Sequence, residues 1–340
     1  MGQEPRWKVF LRDWMLPIAI VLGIAVASVY HAVPALHRYG HIGKVIVSDG
    51  QRWVIAVLLF CQFVKISPHD LRLRRWHVYI LLFQIFCFVG LALLARGLQP
   101  GGVRILVECA MLCLICPTAS AAGVITERLG GQLAGTVTYL VIINLVGTLL
   151  IPSIIPMVQP SAELGFWAYV LRIAGKIFPV LIVPAMLAWL IRYTWSRLQR
   201  ILMRIASYSF YVWGIGLTFA MILSTHSLIQ SGLGGAMITG IVVVSASCCL
   251  IQFLFGRYVG SLTAGQTLGQ KNTGFLIWLG YTYLTPVTAV AGGLYAIWQN
   301  IFNAWELYDA RRRGTTATSS PSAPPGAHER SRGSVRRHRT

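Results

Sequence analysis

Apolar runs of about 20 residues recur along almost the whole chain, from residue 14 to 305, and this recurrence limits the fold more than any other feature. A bilayer core about 30 Å thick needs about that length of helix. Ten spans can be drawn: 14–30, 53–65, 77–95, 103–124 and 133–157 form a first five, and 164–191, 207–228, 233–255, 261–284 and 287–306 a second five. The second span is short unless it begins near Val45 to Val47.

Of the 340 residues, 56% are apolar and 11% charged, and mean hydropathy is positive. A soluble globule with a polar surface is thereby excluded, and an all-α integral membrane protein is expected. An alternative treats the first run as a signal-peptide h-region, since Arg6, Lys8 and Arg12 precede it and Ala25-Val26-Ala27-Ser28 lies within it. The run is long for that, and the later runs complete a count of ten spans.

The formal net charge of +19 invites a nucleic-acid partner, but the basic residues alternate between connections. With residues 1–13 in the cytoplasm, the inside segments hold 21 Lys and Arg and the outside connections seven, the remaining one being Lys271. This positive-inside asymmetry predicts a multi-pass protein of the inner (plasma) membrane with both termini cytoplasmic. The lipid bilayer and a small solute are the expected partners, and no nucleic acid; the sequence leaves the oligomeric state open. From residue 311 to 340 the chain turns Ser-, Pro- and Arg-rich, as expected of a disordered basic cytoplasmic tail, either simply solvated or drawn to anionic headgroups.

The seven cysteines all fall in apolar spans and read as reduced packing residues. Cys109, Cys113 and Cys116 do share one helix face, so a soft-metal or metalloid site is the alternative.

Two spans contain what a lipid-facing helix avoids. In the fourth, Pro117 removes a backbone donor in mid-span, and small and hydroxyl residues follow from Thr118 through Ser120 to Gly123. In the ninth, Gly265 and Gly269 weaken the helix where Gln266, Thr267, Gln270, Lys271, Asn272 and Thr273 cluster. Non-helical backbone at membrane depth survives only inside protein or beside a wet cavity. Small-residue packing explains the glycines and alanines. It does not explain an intramembrane lysine, which costs several kcal/mol. Each broken span is the fourth of its five, the pattern of a transporter with inverted repeats whose odd-numbered halves insert in opposite senses.

The Cys116-Pro117 break followed by Thr118-Ala119-Ser120, the Gly269-x-x-Asn272 motif and the order of spans resemble the bile acid:sodium symporter family, over roughly residues 14–308. The resemblance implies two inverted five-helix repeats with crossing helices 4 and 9. It implies panel helices in 14–66 and 164–228 and core helices in 77–157 and 233–306. An organic anion would lie between these domains, with two sodium ions behind it at the crossover. Gln84 and Asn272 match family sodium ligands. The family's shared glutamate falls on Thr267, its glutamine on Lys271, its span-four asparagine on Gly123 and the serine beside that on Ala122. Thr136 keeps a hydroxyl, but the next hydroxyl ligand falls on Leu140. Most of the sodium chemistry is gone.

Hard cations want oxygen ligands, and here a carboxylate is lost while an ammonium is gained. Lys271 is therefore expected in place of a sodium ion, held through Gln84, Gln270 and backbone carbonyls. Alternatives are a lysine that gains and loses a proton, a direct counter-ion to an anionic solute, and a purely structural lysine. No cofactor is expected; sodium stays open and proton coupling is the alternative. Glu108 follows Arg104 by one turn and reads as an ion pair or a relay group. His226 reads as interfacial. Trp278, Tyr281, Tyr283, Trp298 and Gln299 lie near the crossover. No H-E-x-x-H or G-x-S-x-G motif supports an intramembrane enzyme. The function expected is secondary transport of a small organic anion by alternating access. A membrane sensor or channel-like module using the same crossover, or a metalloid efflux carrier, is the alternative.

Overall fold

The computed structural model describes residues 6–313; the expected tail beyond residue 313 lies outside the described residues. The described chain is helical, with no β-strand. The helices are α1 (Arg6–Ala32), α2 (Gly40–Lys44), α3 (Gly50–Val64), α4 (Arg75–Gly97), α5 (Gly102–Ile115), α6 (Ala122–Arg128) and α7 (Leu133–Val158). They continue with α8 (Phe166–Leu181), α9 (Val183–Thr194), α10 (Ser196–Ile205), α11 (Ser209–Ser231), α12 (Gly235–Gly269), α13 (Thr273–Tyr283) and α14 (Thr288–Arg312).

Six helical stretches among the described residues are long and apolar enough to cross a membrane: Pro34–Val64, Arg75–Gly97, Leu133–Val158, Phe166–Thr194, Tyr211–Ser231 and Gly235–Gly269. Leu149, Phe86 and Leu171 are more than 70% exposed, which water would penalise and lipid tails accept. The chain is an all-α membrane protein.

Two of the expected spans are divided, and one starts earlier than expected. The fourth is cut at Cys116–Ala121 into α5 and the seven-residue α6. The ninth is divided between the end of α12 and α13. The second begins earlier than residue 53: a 3-10 turn at Pro34–Tyr39, then α2 and a π-helical turn at Val45–Asp49 lead into α3, which supplies the missing length.

One continuous apolar core joins α3, α4, α5, α7, α8, α12, α13 and α14, with Phe63, Phe88, Met111, Ile177, Phe253 and Trp278 fully buried in it. The chain reverses within α12. Gly260 and Ser261 leave helical geometry, and Ser261 stands at φ 74°, the single non-glycine residue with positive φ among those described. A β-carbon on Gly260 would lie 2.6 Å from that of Trp76, so the turn fits only glycine. Past the turn the chain runs back along itself, Gly265 against Arg257 and Gly269 against the ring of Phe253. Gly265 and Gly269 therefore do not interrupt the helix. It continues through Gly269, and the glycines permit close helix-on-helix approach.

Candidate functional site

The two breaks meet. Thr118 and Lys271 form an isolated antiparallel β-bridge, although they are far apart in sequence. The Asn272 N–H donates to the Pro117 carbonyl at 2.8 Å, and the Ala119 N–H donates to the Gln270 carbonyl at 2.9 Å. Around this pair the hydroxyl of Thr118 donates to the Thr267 carbonyl at 2.8 Å, and the Cys116 thiol to the Asn272 carbonyl at 3.1 Å.

A helix interrupted in an apolar medium leaves carbonyls that must find donors. Gln84, fully buried on α4, donates its amide to the Leu114 carbonyl at 2.5 Å and to that of Cys116 at 3.5 Å. Its own oxygen accepts the Tyr139 hydroxyl at 2.5 Å. Gln252 on α12 donates to the Cys113 carbonyl at 3.2 Å and to the Tyr295 oxygen at 3.0 Å, and the Tyr295 hydroxyl donates to the Gly269 carbonyl at 2.8 Å. Asn272 caps α13, its side-chain oxygen accepting the Phe275 N–H at 3.2 Å, and Thr273 follows as the first residue of that helix.

Lys271 is fully buried, and its ammonium has no hydrogen-bond partner. The expected holders are engaged elsewhere: Gln84 on the carbonyls of α5, Gln270 on the side-chain oxygen of Gln266. Only its backbone N–H is held, by Oε1 of Gln299 on α14 at 2.8 Å. Among the described residues no ion pair to Lys271 is formed. The positive end of α13 begins two residues on.

The residues that the resemblance places at sodium positions do not fit that ion. The Thr267 hydroxyl is shared between the Thr263 carbonyl at 2.6 Å and the Thr136 hydroxyl at 2.9 Å, and Thr136 leads on to Thr126. Gly123 lies against Leu133, Ala122 and Leu140 are buried and apolar, and Ser120 is half-buried beside the break. Gln84 has both ends of its amide engaged on the scaffold. Among the described residues no group of three or more His, Cys, Asp or Glu is placed to hold a metal ion.

Sequence reasoning missed several supports. Glu306, which reads as a helix end, is buried; it accepts from Gln266 and from Arg257, and Gln266 in turn accepts from Gln270. A carboxamide chain thus runs from the crossing to a cavity of about 390 Å³ lined by Arg257, Glu306, Asp309 and Arg313. Tyr139, Gln252 and Tyr295 give no signal because nothing in the sequence separates them from the other polar side chains of α7, α12 and α14. Glu108 does pair with Arg104, at 3.1 Å, and also accepts from Gln159 at 2.9 Å and Thr285 at 3.0 Å. His226 is not solitary: its Nδ1 lies 3.0 Å from Nε2 of His31. Trp278 and Tyr283 are buried in the core.

The fold and the crossing define an all-α membrane protein with paired backbone breaks. No protein-family model matches the chain, and no curated protein matches it.

Proposed function

We propose that the chain is a secondary active transporter of a small organic anion, built on the plan of the bile acid:sodium symporter family. In this reading ten spans form two inverted five-helix repeats. The core (77–157 and 233–306) moves against the panel (14–66 and 164–228) in the inner membrane, with both termini cytoplasmic. Coupling is not two-sodium symport.

The observation that supports this best is the crossing itself: two broken helices paired through backbone at Thr118 and Lys271, with an unpartnered buried ammonium at the junction. Backbone of this kind survives inside a membrane only where protein buries it or a wet cavity receives it. An ammonium beside a helix N-terminus makes the junction electropositive, which repels sodium and favours a carboxylate or sulfonate nearby. The Lys271 ammonium has no partner within the protein, and in this reading an anionic solute supplies the complementary charge.

Uptake into liposomes containing the full chain tests this, measured with and without sodium and with an imposed pH gradient, using short carboxylates and sulfonates as solutes. Uptake independent of sodium and abolished by Lys271→Met supports the proposal. Strong sodium dependence of the unaltered chain overturns the coupling, and absence of anion uptake under every condition overturns the transporter. A Lys271→Gln variant that acquires sodium dependence identifies the ammonium as the ion's replacement.

A further inference from the structure

Helix α10 (Ser196–Ile205, SRLQRILMRI) is not one of the expected spans, and the crossing makes no use of it. At about 100° per residue Arg197, Arg200 and Arg204 fall within an arc of about 60°. Leu198, Ile201, Leu202 and Ile205 occupy the adjoining arc.

Its place in the fold is fixed. Trp195, at φ −137° and ψ 77°, breaks the chain after α9. Gln199 donates to the Val64 carbonyl at 2.7 Å, and Arg192 donates to the same carbonyl at 3.5 Å, so α10 lies against the end of α3. With Gln199 and Leu202 turned inward, Arg197 and Arg200 are exposed, and so are Ile201 and Ile205, each 54% exposed. Trp195, Tyr193 and Tyr208 flank the helix with their rings exposed, as aromatic residues do at the level of the headgroups. An exposed isoleucine stripe beside an exposed arginine stripe suits one surface: apolar side chains in the acyl boundary, guanidinium groups among phosphates.

We infer that α10 is an interfacial helix that binds anionic phospholipid headgroups through Arg197 and Arg200, at the end of the bundle where α3 finishes. This stands independently of what the protein transports. Guanidinium pairs bidentately with phosphate oxygens, and each basic residue near an anionic membrane surface contributes attraction that salt screens.

The full chain, reconstituted in nanodiscs of phosphatidylcholine alone or with added phosphatidylglycerol, gives the test. Thermal unfolding is followed together with the lipid retained on purification. The unaltered chain is expected to unfold at a higher temperature with phosphatidylglycerol and to retain that lipid selectively, the difference shrinking in high salt. R197Q/R200Q should lose about fivefold in selectivity for each arginine removed, the equivalent of about 1 kcal/mol per residue. R197K/R200K, which keeps the charges and loses the bidentate fork, should retain more of it than R197Q/R200Q, which separates loss of charge from a folding defect. The same selectivity in the R197Q/R200Q variant overturns the inference. So does an equal stabilisation by soluble glycerol phosphate in phosphatidylcholine discs, which would make the ligand a free anion.

Discussion

Gln299 holds Lys271 by its main chain: Oε1 of the amide accepts the Lys271 N–H at 2.8 Å, while the ammonium of the same residue has no partner. The two ends of Lys271 are thus treated oppositely, the backbone pinned to α14 and bridged to the break after α5, and the charge left uncompensated.

An uncompensated charge in an apolar interior works against folding. Lys271→Met, an unbranched and uncharged side chain one atom shorter, should raise stability by at least about 1 kcal/mol while removing anion transport. Unfolding in detergent, monitored by intrinsic fluorescence, checks the first half, and liposome uptake the second. A less stable variant would show that the ammonium makes a stabilising contact.

Gln84 supplies donors to two carbonyls at the end of α5 and an acceptor to Tyr139. Gln84→Leu leaves these groups buried and unpaired, and should cost about 2 kcal/mol or more. Tyr139→Phe removes one hydroxyl and should cost about 1 kcal/mol. A double-mutant cycle on chemical unfolding should give a coupling energy clearly different from zero, since the two groups touch.

Glu108 gathers Arg104, Gln159 and Thr285, and so ties the start of α5 to the end of α7 and the turn before α14. Glu108→Leu removes the acceptor shared by three half-buried donors and should destabilise by about 2 kcal/mol. Thr285→Val, which loses one bond, should cost about 1–2 kcal/mol. Equal losses for the two variants would mean that Thr285 alone matters.

Cys109, Cys113 and Cys116 have essentially no exposed surface, and Cys87 is partly exposed on α4. A small alkylating reagent should modify Cys87 and leave the other three unreacted in the resting protein. If core and panel move during transport, Cys116, beside the break, should be the first of the three to react when solute is added. Mass spectrometry of the digested protein reads each site.

Much of the crossing is legible in the sequence because its signals are chemically loud. Pro117 in mid-span removes a donor, and Lys271 among carboxamides contradicts a lipid-facing helix. Both mark the segments that the backbone bridge brings together. What satisfies the broken backbone is not legible. Tyr295, Gln252 and Tyr139 carry no mark in the sequence, and only tertiary packing brings the first two to the orphan carbonyls and the third to the oxygen of Gln84. Helix propensity makes Gly265 and Gly269 weak points, whereas the reversal at Gly260 and Ser261 makes their missing side chains a matter of space. The basic residues of α10 count only as topology in the sequence, because one-dimensional charge counts ignore which face a residue occupies.

The two strands of the crossing are joined by Asn272 to Pro117 and Ala119 to Gln270, main chain to main chain. Bonds of that kind are indifferent to which side chains stand at the joint, save that no second proline can replace a donor. The joint is therefore tolerant of mutation where the chemistry is not. Such a scaffold can change the size or the charge of the side chains at its crossing and keep its shape.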